Sequence, residues 1–150
     1  MAWDVIGEYL SKPIRFLHLK SSEEYSADRS VKESVLVLYF NENSKSIEVL
    51  LEQIINDLPL VIIVAGVNSM SSFDLLLDIL SRKKTQDHIM TNVCESDNLE
   101  EIIEDLVNGN WPAEERHNDW KCYSILSIGN KSKVNEFTEA VKSLGYLTNK

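Results

Sequence analysis

The sequence predicts an α/β fold: a three-layer α/β/α sandwich around a mostly parallel sheet of four to five strands, either Rossmann-like or flavodoxin-like. Short apolar runs rich in strand-forming residues alternate with helical patterns of about ten to fifteen residues, which is typical of right-handed parallel crossovers. Residues 60–65 are apolar at every position, as expected for a central strand that helices cover on both sides. The 150 residues fit a single domain, 1–150.

The first third of the chain gives the weakest patterns. Trp3, Ile6 and Leu10 have helical spacing and predict a short helix. Residues 14–19 are rich in apolar side chains and predict a strand added at the sheet edge, either parallel or antiparallel. Residues 20–33 are polar and charged without apolar periodicity, which predicts a flexible surface loop.

Two strand–helix units follow, and their periodicity is clear. Residues 35–40 and 60–65 predict strands. The helix between them has a candidate N-cap at Asn43 or Ser44. Its apolar positions, which recur at spacings of three and one, are Ile47, Leu50, Leu51, Ile54, Ile55 and Leu58. Residues 66–69 turn the chain into a second helix, whose apolar stripe contains Phe73, Leu76, Leu77 and Leu80.

The second half continues the alternation. Residues 88–94 predict a third strand, and the helix after it begins with a capping box formed by Asp97 and Glu100. Gly109 is expected to end that helix in the left-handed conformation. Residues 122–128 predict a fourth strand nearer the sheet edge, and Gly145 ends the last helix.

Composition restricts the class of partner. The formal net charge is −9, which argues against nucleic acid and against an anionic membrane surface, because both require a basic protein surface. An acidic surface suits a basic protein partner instead. The two cysteines, Cys94 and Cys122, fit no zinc pattern and indicate a reducing compartment, so we expect a cytoplasmic protein. The first residues lack the pattern of a secretory signal.

The sequence contains few candidate catalytic residues. It has three histidines without metal-ligand spacing, and no phosphate-loop or serine-nucleophile motif. Cys94 is the best nucleophile candidate, but His88 would lie about 20 Å away along an extended strand. A buried structural cysteine is therefore the preferred interpretation. The sequence predicts no catalytic residue, metal or cofactor, and a binding protein rather than an enzyme.

The negative charge is concentrated in one segment. Between Cys94 and Asp119, the segment contains nine acidic residues and one base, Arg116, so it carries eight of the nine net negative charges. Two tryptophans, Trp111 and Trp120, lie near its end. The predicted partner-binding residues are Glu95, Asp97, Glu100, Glu101, Glu104, Asp105, Trp111, Glu114, Glu115 and Asp119. The alternatives are a solvated helix face and tryptophans buried against the sheet, with Trp120 the more buried of the two.

The acidic stretch at residues 95–105, together with the run at residues 111–116, resembles the small acidic α/β immunity proteins of bacterial contact-dependent inhibition and polymorphic-toxin systems. The second run reads Trp111-Pro112-Ala113-Glu114-Glu115-Arg116. The resemblance is one of size, charge and architecture. It implies a cognate toxin domain, often a cationic nuclease, that the acidic face holds so that its active site is blocked.

A second hypothesis places a small molecule or nucleotide beyond the carboxyl ends of the strands, where open parallel sheets bind ligands. The loops at residues 41–44, 66–69 and 129–132 should meet there, each before a helix N-terminus that attracts anions. The candidate residues are Asn41, Asn68, Ser69, Asn130 and Lys131. Ordinary helix capping explains the same small polar side chains.

Overall fold

The computed structural model describes residues 3–26, 31–43, 46–83 and 89–146. In this part of the chain there are six strands and four α-helices, and no helix is long and apolar enough to cross a membrane. Their bounds are β1 Asp4–Tyr9, β2 Lys12–Leu19, β3 Ser34–Phe40, α1 Ile47–Asn56, β4 Val61–Gly66, α2 Ser69–Lys83, β5 Met90–Cys94, α3 Leu99–Glu104, β6 Cys122–Ile128 and α4 Val134–Ser143.

The strands form one sheet in the order β1-β2-β6-β3-β4-β5. All neighbours pair in parallel except β1, which is antiparallel to β2. The predicted α/β class and mostly parallel sheet are confirmed, but six strands replace the expected four to five. The chain runs outward from β3 through β4 to β5 and then returns to β6 on the other side of β3.

The prediction that the last strand lies near the sheet edge is wrong. β6 lies between β2 and β3, and all seven of its residues are buried. The prediction was wrong because Ser124 and Ser127 interrupt the apolar residues of this run, and such a mixture of polar and apolar residues is typical of an edge strand. Both serines have half-buried partners: the guanidinium Nη2 of Arg15 donates to Ser124 Oγ at 2.8 Å, and Ser127 Oγ lies 3.0 Å from His18 Nδ1. A buried hydroxyl with a partner costs little in a central strand.

Helices cover both faces of the sheet. α1 and α2 pack on one face against Leu36, Leu38 and Phe40 of β3, which point to that side. α3 and α4 pack on the other face against Val35, Val37 and Tyr39 of the same strand. The continuous apolar run therefore reflects burial on both sides, and each fully buried Leu, Val, Ile or Phe side chain contributes about 1.5–3 kcal/mol.

The predicted N-terminal helix is a strand. β1 and β2 form a hairpin whose two-residue turn, Leu10 and Ser11, has φ of 51° and 65°. Hairpin turns of this kind normally carry Asn or Gly, so the sequence has no turn signal here. A tertiary contact also holds the strand: the Glu8 N–H donates to the Tyr146 carbonyl at 2.6 Å. A Cβ on Gly7 would lie 2.5 Å from the same carbonyl oxygen, so this contact requires glycine.

Two predicted helix starts shift by one or more residues. α3 is capped by Asn98 rather than Asp97, because Asn98 Oδ1 accepts the N–H groups of Glu100 and Glu101 at 2.9 and 3.3 Å. α1 starts at Ile47 after Ser46, so Asn43 is not its cap, and Ser44 lies outside the described residues.

Of the two predicted glycine stops, one is confirmed. Gly145 follows α4 with φ of 80°, as a left-handed helix end requires. Gly109 does end a helical turn, but it is not among the residues with positive φ. Its expected left-handed conformation is therefore wrong.

The described part of residues 20–33 is packed rather than featureless. Ser22–Glu24 forms a 3-10 turn, and Tyr25 and Val31 are buried against the layer that contains α1. The Tyr25 hydroxyl donates to Asp57 after that helix. Residues 27–30 lie outside the described residues, and the flexibility of the loop stays a prediction.

The Leu10–Ser11 turn generates a stability prediction. Replacing Leu10→Asn and Ser11→Gly together should raise the free energy of unfolding by about 1–2 kcal/mol, because left-handed backbone is costly for other residues. Urea denaturation followed by circular dichroism measures the change. Ser21→Gly is the control, since Ser21 is extended at φ −148° and should gain nothing. Equal stabilisation by both changes would contradict the strained-turn account.

Candidate functional site

The acidic segment, residues 95–119, forms the connection between β5 and β6. It leaves the carboxyl end of β5 at Cys94, runs down α3, and continues in a π-helical turn, Asp105–Gly109. A 3-10 turn, Glu114–Asp119, then lies at the amino ends of the strands, just before β6. The acidic residues therefore form a strip that runs from the carboxyl ends of the strands to their amino ends, with about 15 Å of helix in the middle.

The helix in this strip is amphipathic, as the spacing predicts. Ile102, Ile103, Leu106 and Val107 are fully buried against the sheet and α4. The predicted partner-binding carboxylates that are exposed are Glu95, Asp97, Glu101, Glu104, Glu114, Glu115 and Asp119. Glu100 and Asp105 are half-buried instead of pointing fully outward, which corrects the expectation for these two.

Ion pairs in the described part of the chain lie elsewhere. They join Arg82 to Glu48 and Asp78, both at 3.2 Å, and Lys83 to Glu52 at 3.7 Å. All of these residues belong to α1 and α2, on the opposite face of the sheet. Within the described ranges, none of the nine carboxylates of the acidic segment is in such a pair. Their negative charge is therefore not neutralised by an ion pair with another described residue.

Arg116, the one base of the acidic segment, holds the end of the segment that precedes β6. Its guanidinium donates to the backbone carbonyls of Pro59 and Leu58, at 3.4 and 3.3 Å. These carbonyls precede β4, so the bonds tie the 3-10 turn to the amino edge of the sheet. The carboxylates of Glu114 and Glu115 in the same turn are exposed.

The upper end of the segment forms an open groove of about 390 Å³ between β5 and α3. Four carboxylates line it, from Glu95, Glu101, Glu104 and Asp105, together with Val93, Cys94 and Ser96. The Ser96 hydroxyl donates to the Glu101 carboxylate and so holds one wall. The groove is wide and negative enough to take the end of a Lys or Arg side chain from a partner.

Cys94 at the base of this groove is a poor nucleophile. Its side chain is buried, and burial raises the pKa of the thiol, as do Asp105 and Glu101 beside it. A raised pKa lowers the fraction of the reactive thiolate. His88 and Asp87 lie outside the described residues. The interpretation of Cys94 as a buried cysteine is confirmed, and Cys122 is buried in the same way.

The two tryptophans differ as the sequence suggested. Trp120 is buried, with the Lys12 ammonium 4.5 Å from its ring centroid. Trp111 is 52% exposed and packs edge-on against Trp120, at 5.9 Å between ring centroids. The ring centroid of His117 lies 6.2 Å from that of Trp111, so His117 belongs to the same aromatic cluster just before β6. Trp111 thus offers a supported, rigid apolar surface beside exposed carboxylates.

The loops proposed to hold a small ligand do meet at the carboxyl ends of the strands. Asn68 Nδ2 donates to Asn43 Oδ1, and Asn41 Nδ2 donates to the Lys131 carbonyl. Ser69, in contrast, is buried at the start of α2. These contacts place the amide groups against neighbouring loops rather than toward an open ligand site.

Glu42 is the residue at this edge that sequence reasoning did not single out. The backbone N–H and the side-chain Nδ2 of Asn130 both donate to its carboxylate, at 3.1 Å each. A carboxylate that receives two hydrogen bonds is held in a fixed orientation. Only the pairing of β3 with β6 brings these two loops together, so the linear sequence gave no signal of it.

One serine–histidine contact lies outside both proposed sites. His18 Nδ1 is 3.0 Å from Ser127 Oγ, between β2 and β6. Ser127 has no exposed surface, so its hydroxyl is inaccessible to a substrate. No group of three His, Cys, Asp or Glu side chains in the described ranges is arranged to hold a metal ion.

The state of the two cysteines leads to a labelling prediction. Iodoacetamide at pH 8 should alkylate Cys94 and Cys122 far more slowly in the native protein than in urea, because burial limits access to both and the raised pKa of Cys94 limits its thiolate. Mass spectrometry of a time course measures both sites separately. Native labelling of Cys94 at the rate seen in urea would mean that its thiol is reactive.

Comparison of the sequence with protein-family models and with curated proteins identifies no family for this chain. No protein-family model matches this chain, and no curated protein matches it in sequence. Function therefore has to be argued from the acidic segment and the loops themselves.

Proposed function

We propose that this chain is an acidic protein-binding module, an immunity (antitoxin-like) protein that binds and blocks a basic toxin domain such as a nuclease. The observation that supports this most is the acidic segment itself. Its exposed carboxylates run along one connection of a rigid fold, and no ion pair within the described residues neutralises them. The resemblance to small acidic bacterial immunity proteins points the same way.

Charge of this kind acts mainly on association. A strip of like charge raises the local concentration of an oppositely charged partner and orients it before contact, which increases the association rate. A basic nuclease carries its positive charge around the phosphate-binding site, since that charge neutralises the nucleic acid. A carboxylate strip that docks there would occupy the same surface as the substrate. Inhibition would then follow from binding alone, without any chemistry.

Trp111 would supply binding affinity that the exposed carboxylates alone do not. Exposed ion pairs add little affinity because water and salt screen them, whereas a tryptophan buried on binding is among the strongest contributors to an interface. Trp111 is supported from behind by Trp120 and flanked along the chain by Glu114 and Glu115. We assign Trp111 as the apolar anchor and the carboxylates as the surrounding polar rim.

The proposal extends to fold type and compartment. The order β5-β4-β3-β6 within the sheet, with the chain reversing its direction of progress at β3, supports a Rossmann-like rather than a flavodoxin-like arrangement. Two buried cysteines without a disulfide support a reducing compartment, and we assign the protein to the cytoplasm.

The alternative function, a small-molecule or nucleotide-binding domain, has weaker support at the residues predicted for it. The amides of Asn41 and Asn68 are bonded within the loops, and Asn130 is bonded to Glu42. A carboxylate at this position disfavours a phosphate. The alternative stays a prediction for these residues.

Charge reversal on α3 tests the acidic strip. Glu101→Lys with Glu104→Lys should weaken binding at least tenfold, chiefly by slowing association, to a toxin domain encoded beside this chain's gene and recovered by co-expression. Surface plasmon resonance at two salt concentrations measures both rates. The control is Asp4→Lys with Asp74→Lys, which changes the net charge equally at exposed sites outside the segment. Unchanged affinity in the α3 variant, or an equal loss in both, would refute the acidic-strip mechanism.

Truncation of the tryptophan tests the anchor. Trp111→Ala should cost ~2 kcal/mol of binding, or about 30-fold in Kd, mostly through faster dissociation. Its thermal stability should change little, because half of the side chain is already exposed. Leu10→Ala is the matched control, since Leu10 is a similarly exposed apolar residue on the β1–β2 turn. Equal effects of the two variants on dissociation would remove Trp111 from the interface.

A further inference from the structure

A second cavity lies at the carboxyl edge of the sheet, over the ends of β2, β3 and β6. It has a volume of about 330 Å³ and lies where the strand order reverses, which is where open parallel sheets bind ligands. Its lining comes from the turn after β2 and from the loops after β3 and β6: Lys20, Ser21, Ser22, Glu23, Glu42, Asn43 and Asn130. None of these residues belongs to the acidic segment.

Ser22 is the unusual member of this lining. It is only 4% exposed, and its Oγ has no hydrogen-bond partner among the residues that the structure describes. Buried hydroxyl groups are nearly always paired, because leaving one unpaired costs the full desolvation of the group. Ser22 also lines an adjoining cavity of about 310 Å³ that reaches Val49 and Gln53 on α1. An unpaired hydroxyl where two cavities meet can form a hydrogen bond with a polar group of a bound ligand.

The charged groups around Ser22 are of both signs. Lys20 supplies one cation, and Glu23 and Glu42 supply two carboxylates. Glu42 is oriented by its two hydrogen bonds from Asn130, at 3.1 Å each. The turn that carries Lys20 is fixed too, because the Lys20 N–H donates to Glu24 Oε1 at 2.6 Å. The opposite charges are therefore presented by ordered segments of the chain.

The lining excludes some ligand classes. The described lining residues carry a net charge of one negative, which disfavours phosphates and nucleotides because these need a positive site. Among the lining residues that the structure describes, none is aromatic, so none offers a ring on which a base or sugar would stack. A ligand that carries both a cation and an anion matches it best.

We propose that this cavity binds a free amino acid as a zwitterion. Lys20 pairs with the ligand carboxylate, Glu42 and Glu23 with its ammonium group, and the Ser22 hydroxyl supplies the additional hydrogen bond. The adjoining cavity beside Val49 and Gln53 receives the ligand side chain. This site does not depend on the protein-binding proposal, because the two share no residue.

A thermal-shift screen tests the ligand class. Each of the common amino acids, at millimolar concentration, is compared with its N-acetyl and amide derivatives, which lack one of the two charges. At least one free amino acid should raise Tm by about 5–10 °C at a hundredfold excess over Kd, and its derivatives should not. No shift with any amino acid, or equal shifts with both derivatives, would overturn the proposal.

Variants locate the site. Ser22→Ala and Lys20→Met should each weaken the Kd measured by titration calorimetry about tenfold or more. Without ligand, Ser22→Ala should be as stable as the parent, because it removes an unpaired hydroxyl. Lys142→Met is the control, since Lys142 is an exposed lysine on α4 outside the lining, and the ligand affinity of this variant should be unchanged. Ligand affinity that is unaffected in both Ser22→Ala and Lys20→Met would place the binding elsewhere and overturn the assignment.

Discussion

The parallel pairing of β6 with β3 at the centre of the sheet is the constraint on which the rest of the structure depends. Before it enters β6, the chain has run from β3 through β4 to the edge strand β5. The connection from β5 to β6 must therefore return across the face formed by β4 and β3. That return path is the acidic segment. Its apolar residues, such as Ile102 and Leu106, are needed to cover β3 and β4, and its carboxylates consequently stay on the outer side. The same pairing joins the loops after β3 and β6, because parallel strands end at the same edge.

The two proposed sites obey different physics. The acidic segment is exposed to water, whose high dielectric constant weakens the interaction of each carboxylate with a partner. Binding there would depend on the number of carboxylates and on Trp111, which packs against Trp120. The cavity at the carboxyl edge is small and partly buried, so a single unpaired hydroxyl, Ser22, and one oriented carboxylate, Glu42, carry more weight. A protein partner suits the first environment and a small molecule suits the second.

Sequence reasoning was most reliable where a pattern has one physical cause. Residues 35–40 and 60–65 are apolar throughout because two helical layers cover them, and the stripes of α1 and α3 follow helical periodicity. It failed where two causes give the same pattern. Trp3, Ile6 and Leu10 fit a helix, yet pairing with β2 and the backbone contact to Tyr146 make the segment a strand. The serines of β6 suggested an edge strand because their hydrogen-bond partners, Arg15 and His18, are more than a hundred residues away in the chain.

The sequence by itself determined the α/β class, the acidic segment with its buried apolar stripe, and the burial of Trp120. These follow from local periodicity and composition, which act through neighbouring residues. Only the tertiary structure decided the central position of β6, the path of the acidic segment from one sheet edge to the other, and the meeting of Ser22 with Glu42 and Asn130 around one cavity. Strand order and cavities arise from contacts between residues far apart in the chain, and no local pattern encodes which distant strands become neighbours.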